Sequence, residues 1–124
     1  MTNEEILKKP AGHELNKLIA EFVFGMKLEK NHGFAGGYYW VGNGILFGEM
    51  PAQGTPDYST NISAAWEVAG KVANEDSDLS VHITGEYPRG FWRCIFENAF
   101  VNYDVTAETA PLAICRAALM AVMK

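Results

Sequence analysis

Apolar and polar positions follow two different periods along this chain, and the most apolar stretch comes last. In TAETAPLAICRAALMAVMK, residues 106 to 124, Leu112, Cys115, Leu119 and Val122 form one stripe at helical spacing. Ala113, Ile114, Ala117, Met120 and Ala121 fill the rest of the girth. Thr106 and Thr109 are candidate N-caps, and Pro111 supplies the fixed φ of a first helical turn. This predicts a helix that is apolar all round, which must be covered on two sides. The chain's own core covers one side; a subunit partner is the expected cover for the other, and the small alanines allow close approach. Before Lys124 the charge in this helix is Arg116. Three readings stay open for it: half of an intersubunit ion pair, part of a shared anion pocket, or an arginine snorkelling outward from an ordinary core helix.

Upstream, Thr2 and Glu5 have the form of a capping box ahead of Pro10. An amphipathic helix is predicted from Gly12 to about Leu28, with Leu15, Leu18, Ile19, Phe22 and Met26 facing the core. Tyr38-Tyr39-Trp40-Val41 and Ile45-Leu46-Phe47 read as two short strands joined through Gly42-Asn43-Gly44. A second long helix begins around Asp57-Tyr58-Ser59-Thr60, capped by Asp57, Ser59 or Thr60. Its buried stripe is read as Ile62, Ala65, Trp66, Ala69 and Val72 or Ala73, and it ends in the acidic loop 74–78. Period two then takes over. Leu79 to Thr84 alternates as a strand, Pro88-Arg89-Gly90 turns the chain, and Phe91 to Glu97 returns with Trp92, Cys94 and Phe96 on one face. A third extended run follows over 98–105. Strands grouped in hairpins with helices between them predict an α+β fold, an antiparallel sheet covered by helices, and a three-layer α/β/α sandwich if both faces are covered.

The 124 residues make one domain, 1–124. A formal charge of −5 and a pI near 5.1 exclude a general affinity for DNA, RNA or acidic membranes, but leave room for a small phosphate-bearing ligand in a local pocket. Cys94 and Cys115 read as buried free thiols rather than a disulfide or metal site. No apolar run has membrane-spanning length and no signal-peptide core follows Met1, so a cytosolic protein is expected. The glycine-rich approach to Tyr38 lacks the lysine and helix of a phosphate loop. His13, His32 and His82 have no metal or nucleophile spacing, and no catalytic residue, metal site or cofactor is assigned.

What the sequence offers instead is a binding inventory between His82 and Asp104. Arg89 and Arg93, with Phe91, Trp92 and Tyr103 and the amides Asn98 and Asn102, combine stacking surfaces with guanidinium donors. The competing reading is that the aromatics are core and the arginines snorkel past them.

Two segments carry a family likeness, Tyr58 to Val68 (YSTNISAAWEV) and Thr109 to Leu119 (TAPLAICRAAL), supported by Thr2-x-Glu4-Glu5-Ile6 and Gly12-x-Glu14-Leu15. Through them the chain resembles the phage ABA-sandwich family. The resemblance implies a non-enzymatic sponge that sequesters cyclic ADP-ribose isomers made by bacterial TIR enzymes. It also implies a separate pocket for cyclic trinucleotides of the CBASS defence system, a homo-oligomer in which dimers build a hexamer, and a place of action in the bacterial host cytoplasm. By the family's pattern the cyclic ADP-ribose site falls on Phe91 and either Asn98 or Asn102, with Arg89, Trp92 and Tyr103 around them. The trinucleotide pocket falls on Arg116 with Cys115 and Met120, Met120 standing where the family has a second arginine.

Overall fold

A computed structural model describes residues 2–30, 38–42, 45–46, 57–75, 79–86 and 90–123. It contains α1 (Asn3–Lys8), α2 (His13–Phe22), β1 (Lys27–Lys30), β2 (Tyr38–Gly42), β3 (Ile45–Leu46), α3 (Ile62–Glu75), β4 (Ser80–Glu86), β5 (Phe91–Glu97), β6 (Asn102–Ala107) and α4 (Ala110–Val122). The strands form two antiparallel three-stranded sheets, β1-β2-β3 and β4-β5-β6. The fold is α+β, as the hairpin pattern predicts.

Local chemistry sets the helix ends. Thr2 Oγ1 accepts the Glu5 N–H at 3.2 Å, the predicted N-terminal cap. Thr109 Oγ1 accepts the Leu112 N–H at 3.3 Å, so Thr109, not Thr106, caps α4. The cap of α3 is neither Asp57, Ser59 nor Thr60: residues 57–61 form a turn, with the Thr60 and Asn61 N–H groups both on the Asp57 carbonyl. Asn61 Oδ1 then accepts the Ala64 N–H at 3.1 Å. The second helix is also shorter than its periodicity predicts. Gly25 adopts φ +65°, and the Met26 N–H turns back to the Ala20 carbonyl. That ends α2 and frees Lys27–Lys30 to pair with β2, so this strand was hidden in what read as helix. Met26 stays in the core as expected, while Phe22 is 48% exposed. The hairpin β2-β3 forms in the predicted place, with Val41 opposite Leu46 and Gly42 opposite Ile45. Asn43, Gly44, Phe47, the glycines at 33–37 and the turn residues Pro88 and Arg89 lie outside the described residues.

The core is organised around α4. It packs on β5 and β6, and α1, α2 and α3 pack on it in turn. Leu112, Ile114, Cys115 and Leu119 are buried with Ala113, Ala117, Ala118 and Ala121. Each large side chain contributes about 1.5–3 kcal/mol by leaving water. The helix is therefore covered on both sides by its own chain. Its apolar girth, from which a subunit partner was expected, is accounted for without one; the alanines serve the close approach of α3.

One polar cluster fastens α2 to the segment leading into α3. Ser59 Oγ donates to Asn16 Oδ1 at 2.7 Å and accepts the Gly12 N–H at 2.9 Å, while the Ser59 N–H also reaches Asn16 Oδ1. Both side chains are buried, so the pairing is what makes their burial tolerable. Beside them the buried Tyr58 ring stacks on Phe24 with centroids 5.2 Å apart, and burial raises the phenol to about 12.

Candidate functional site

Alternation divides the sheet β4-β5-β6 into two unlike faces. Toward α4 it presents Val81, Ile83 and Gly85 from β4, Trp92, Cys94 and Phe96 from β5, and Tyr103, Val105 and Ala107 from β6. Cys94 and Phe96 are fully buried, and burial pushes the Cys94 thiol up to about 12 and the Cys115 thiol higher still. At the Gly85 end the cover fails. Gly85 pairs with Trp92, and a Cβ there would sit 3.3 Å from the indole, so the ring lies over the glycine with 41% of its surface open.

The wall opposite comes from α3. The buried face of α3, which packs against α4, is Ala65, Val68, Ala69 and Val72. Ile62 and Trp66, one turn apart and expected in that buried stripe, are displaced around the helix and stand 44% and 53% exposed. Val81 and Ile83 floor the space between the walls, and Glu108, Thr109, Ala110 and Pro111 close one end. The result is a recess of about 530 Å³, within the range that holds small organic ligands. Among the described residues its lining is apolar and aromatic, with Glu108 as the charged member.

The other face of the sheet is polar. Arg93 Nε meets Asp104 Oδ1 at 3.2 Å, Asn102 Nδ2 donates to Glu97 Oε2 at 2.8 Å, and His82 Nε2 lies 3.5 Å from Glu97 Oε1.

These two faces separate the residues that the sequence grouped as one binding cluster. Trp92 lines the recess. Tyr103 shares that face but packs against the core at the far end of β6. Phe91 and Asn102 share the polar face, but they stand opposite Glu86 and Glu97 at its two ends. Six residues of strand rise put them about 20 Å apart, so within one subunit a small ligand does not touch both. Asn98 sits in the β5–β6 turn, where its Oδ1 accepts the N–H groups of Phe100 and Val101 at 2.7 and 3.0 Å. Arg89 lies outside the described residues.

In the other expected pocket, Cys115 is fully buried and Met120 is half-buried against the core. Arg116 Nε and Nη2 both donate to the Lys9 carbonyl, at 3.0 and 2.6 Å, binding the end of α1 to α4. Burial lowers its pKa and the carboxylate of Glu108 opposes that shift. Within its own chain the guanidinium thus answers a backbone carbonyl and does not simply snorkel outward to water.

Trp66, Ile62 and Glu108 were missed as site residues. The signal was there in Ala65, Val68, Ala69 and Val72, a complete stripe at helical spacing that needs neither Ile62 nor Trp66. Among the described residues, no three His, Cys, Asp or Glu side chains gather as a metal site, and no helix is long and apolar enough to cross a membrane.

Fold and recess together define a small α+β protein with a half-open aromatic site beside the start of its central helix. Residues 17–119 match the family model of the phage ABA sandwich domain, and the chain belongs to that family of phage proteins. Among solved structures, the 2.0 Å crystal structure of a phage protein from Bacillus cereus ATCC 14579 is similar. It is 28% identical, the match covers 93% of this chain and 95% of that one, and the TM-score is 0.67. No curated protein matches.

Proposed function

We propose that this protein is a phage sponge of the Thoeris anti-defence kind, which binds and sequesters cyclic ADP-ribose isomers without cleaving them. The observation that carries the reading is the Trp66–Trp92 recess, with its two half-exposed indoles in a volume suited to one adenine ring and part of its ribose. Stacking on aromatic side chains is worth roughly 1–3 kcal/mol per base, and preformed walls reduce the ordering cost of binding. Membership in the phage ABA sandwich domain family and the likeness of the motifs at 58–68 and 109–119 support the same reading. Sequestration needs no reacting group, and both thiols are held protonated and buried.

The site differs from the one expected from the family's pattern: Trp92 takes the central place and Phe91, on the opposite face, does not share it. A separate site for cyclic trinucleotides would have to use the N–H groups of Arg116 that remain beyond those on Lys9. A homo-oligomer acting in the host cytoplasm completes the proposal.

The test is retention. Purified protein is incubated with a cyclic ADP-ribose isomer made by a TIR enzyme, freed of unbound ligand, heat-denatured and analysed by chromatography. Intact ligand near stoichiometry is expected. A cleaved product would make the protein an enzyme, and nothing retained would leave a structural or protein-binding oligomer.

A further inference from the structure

Besides the two indoles, the described lining of the recess carries two polar side chains, Glu108 and Thr109, neighbours at the junction of β6 and α4. Their hydrogen-bonding roles are opposite. Thr109 Oγ1 accepts the Leu112 N–H at 3.3 Å, a cap that fixes the side chain and leaves its hydroxyl proton for an acceptor elsewhere. The Glu108 carboxylate offers acceptors alone. A donor and an acceptor thus stand side by side where the start of α4 closes the slot between Trp66 and Trp92. The indoles hold a ring by its faces, and stacking of that kind tolerates every base. Choice among bases has to come from the edge.

Resting on the sponge reading, we propose that Glu108 and Thr109 read the N6/N7 edge of an adenine stacked in the recess. The Glu108 carboxylate accepts from the N6 amino group, and the Thr109 hydroxyl donates to N7. Adenine presents a donor beside an acceptor on that edge, whereas guanine presents two acceptors and would set O6 against the carboxylate. A pyrimidine has no N7 to receive the hydroxyl. The edge is free whether the ring of a cyclic ADP-ribose is closed through N1 or through a ribose oxygen, so the contact serves every isomer and selects the base. Glu108 and Thr109 are then specificity-determining residues, and the hydroxyl that caps α4 has a second use.

Nucleosides altered by one group on that edge test this, read by quenching of tryptophan fluorescence and by displacement of retained cyclic ADP-ribose up to millimolar concentration. Purine riboside lacks the amino group, and 7-deazaadenosine carries C–H in place of N7. Purine riboside should bind roughly tenfold more weakly than adenosine, the size of a lost hydrogen bond to a charged group, and 7-deazaadenosine roughly threefold to tenfold more weakly. Glu108→Ala, at an exposed position outside the helix, should close the gap between adenosine and purine riboside and leave the other. Thr109→Asp keeps a capping oxygen but, ionised, has no proton to give, so it should close the gap between adenosine and 7-deazaadenosine. Equal binding of the three nucleosides to the wild type, or gaps that persist in these variants, would overturn the inference. If the protein retains cyclic ADP-ribose but no nucleoside displaces it, the recess does not hold the ring: the inference fails and the sponge reading survives. If it retains nothing while the nucleosides bind in the expected order, the recess reads adenine in another ligand and the sponge reading alone fails. If it retains nothing and no nucleoside quenches, both readings fail together.

Discussion

The two faces of the sheet β4-β5-β6 are built from the same three strands and do different work. On the face toward α4, Cys94, Phe96, Val105 and Ala107 are sealed under the helix, and the seal ends at Gly85 and Trp92. On the outer face, Arg93, Asp104, Glu97, Asn102 and His82 are linked in pairs that remain in contact with water. Stability is concentrated on one face, and only at its unsealed end does that face turn into a place where a ligand can lie. The polar face, which holds Arg93 and Asn102 of the groups that first looked like a binding cluster, turns both to carboxylates of the same sheet.

Three substitutions on these strands would sharpen or break that comparison. Phe96→Ala removes a fully buried ring from beneath α4 and should cost about 3–5 kcal/mol, read as a fall in the midpoint of chemical denaturation; a loss below about 1 kcal/mol would mean the sealed face is not where the fold is held. Gly85→Val places a side chain where a Cβ already meets the Trp92 indole at 3.3 Å. The ring must move, so tryptophan emission should shift and any ligand of the recess should be lost, for about 1–3 kcal/mol of overpacking. Unaltered emission would show that the indole does not rest on the glycine. Arg93→Ala breaks a half-exposed ion pair and should cost at most about 1 kcal/mol, with retention of a nucleotide unchanged. A loss of retention with the fold intact would return the site to the polar face.

The acid side of the stability profile offers a smaller effect. Lys9 Nζ donates to Glu14 Oε1 at 2.7 Å, and that hydrogen bond, with the lysine's charge, holds the Glu14 carboxyl below its ordinary value. A lowered carboxylate pKa stabilises the folded state above about pH 4.5, and the benefit disappears as pH falls through the lower folded value. Lys9→Met should therefore flatten the acid limb of the stability curve slightly; the pair is exposed and screened, so in high salt wild type and variant should coincide.

Much of the fold could be read before any coordinates. The strand β5, the β2-β3 hairpin, the capping box at Thr2 and the helix α4 are where periodicity and capping put them, because each depends on neighbours within a few residues. The misreadings share a cause. The helix α2 was overextended because Met26 and Leu28 keep the apolar rhythm, while the positive φ of Gly25 is what ends it. Trp66 was placed in the core because it falls within reach of the apolar stripe, but at 100° per residue it lies on the flank of the face centred on Ala65, Val68, Ala69 and Val72. The cluster from Phe91 to Tyr103 looked contiguous because sequence proximity hides the alternation of faces and the length of a strand.

By itself, then, the sequence determined every element but β1, the α+β class and the chain's central helix, since these rest on propensity, caps and periods that act locally. What covers that helix was a tertiary decision. Three helices and a sheet of the same chain close around α4 because its alanines let them approach, which is why its apolar girth is no measure of a partner. The placing of Arg116 on the Lys9 carbonyl, 107 residues away in sequence, and the meeting of Trp66 with Trp92 across the recess were decided there too. Burial and juxtaposition depend on distances between elements, and no local pattern in the chain encodes them.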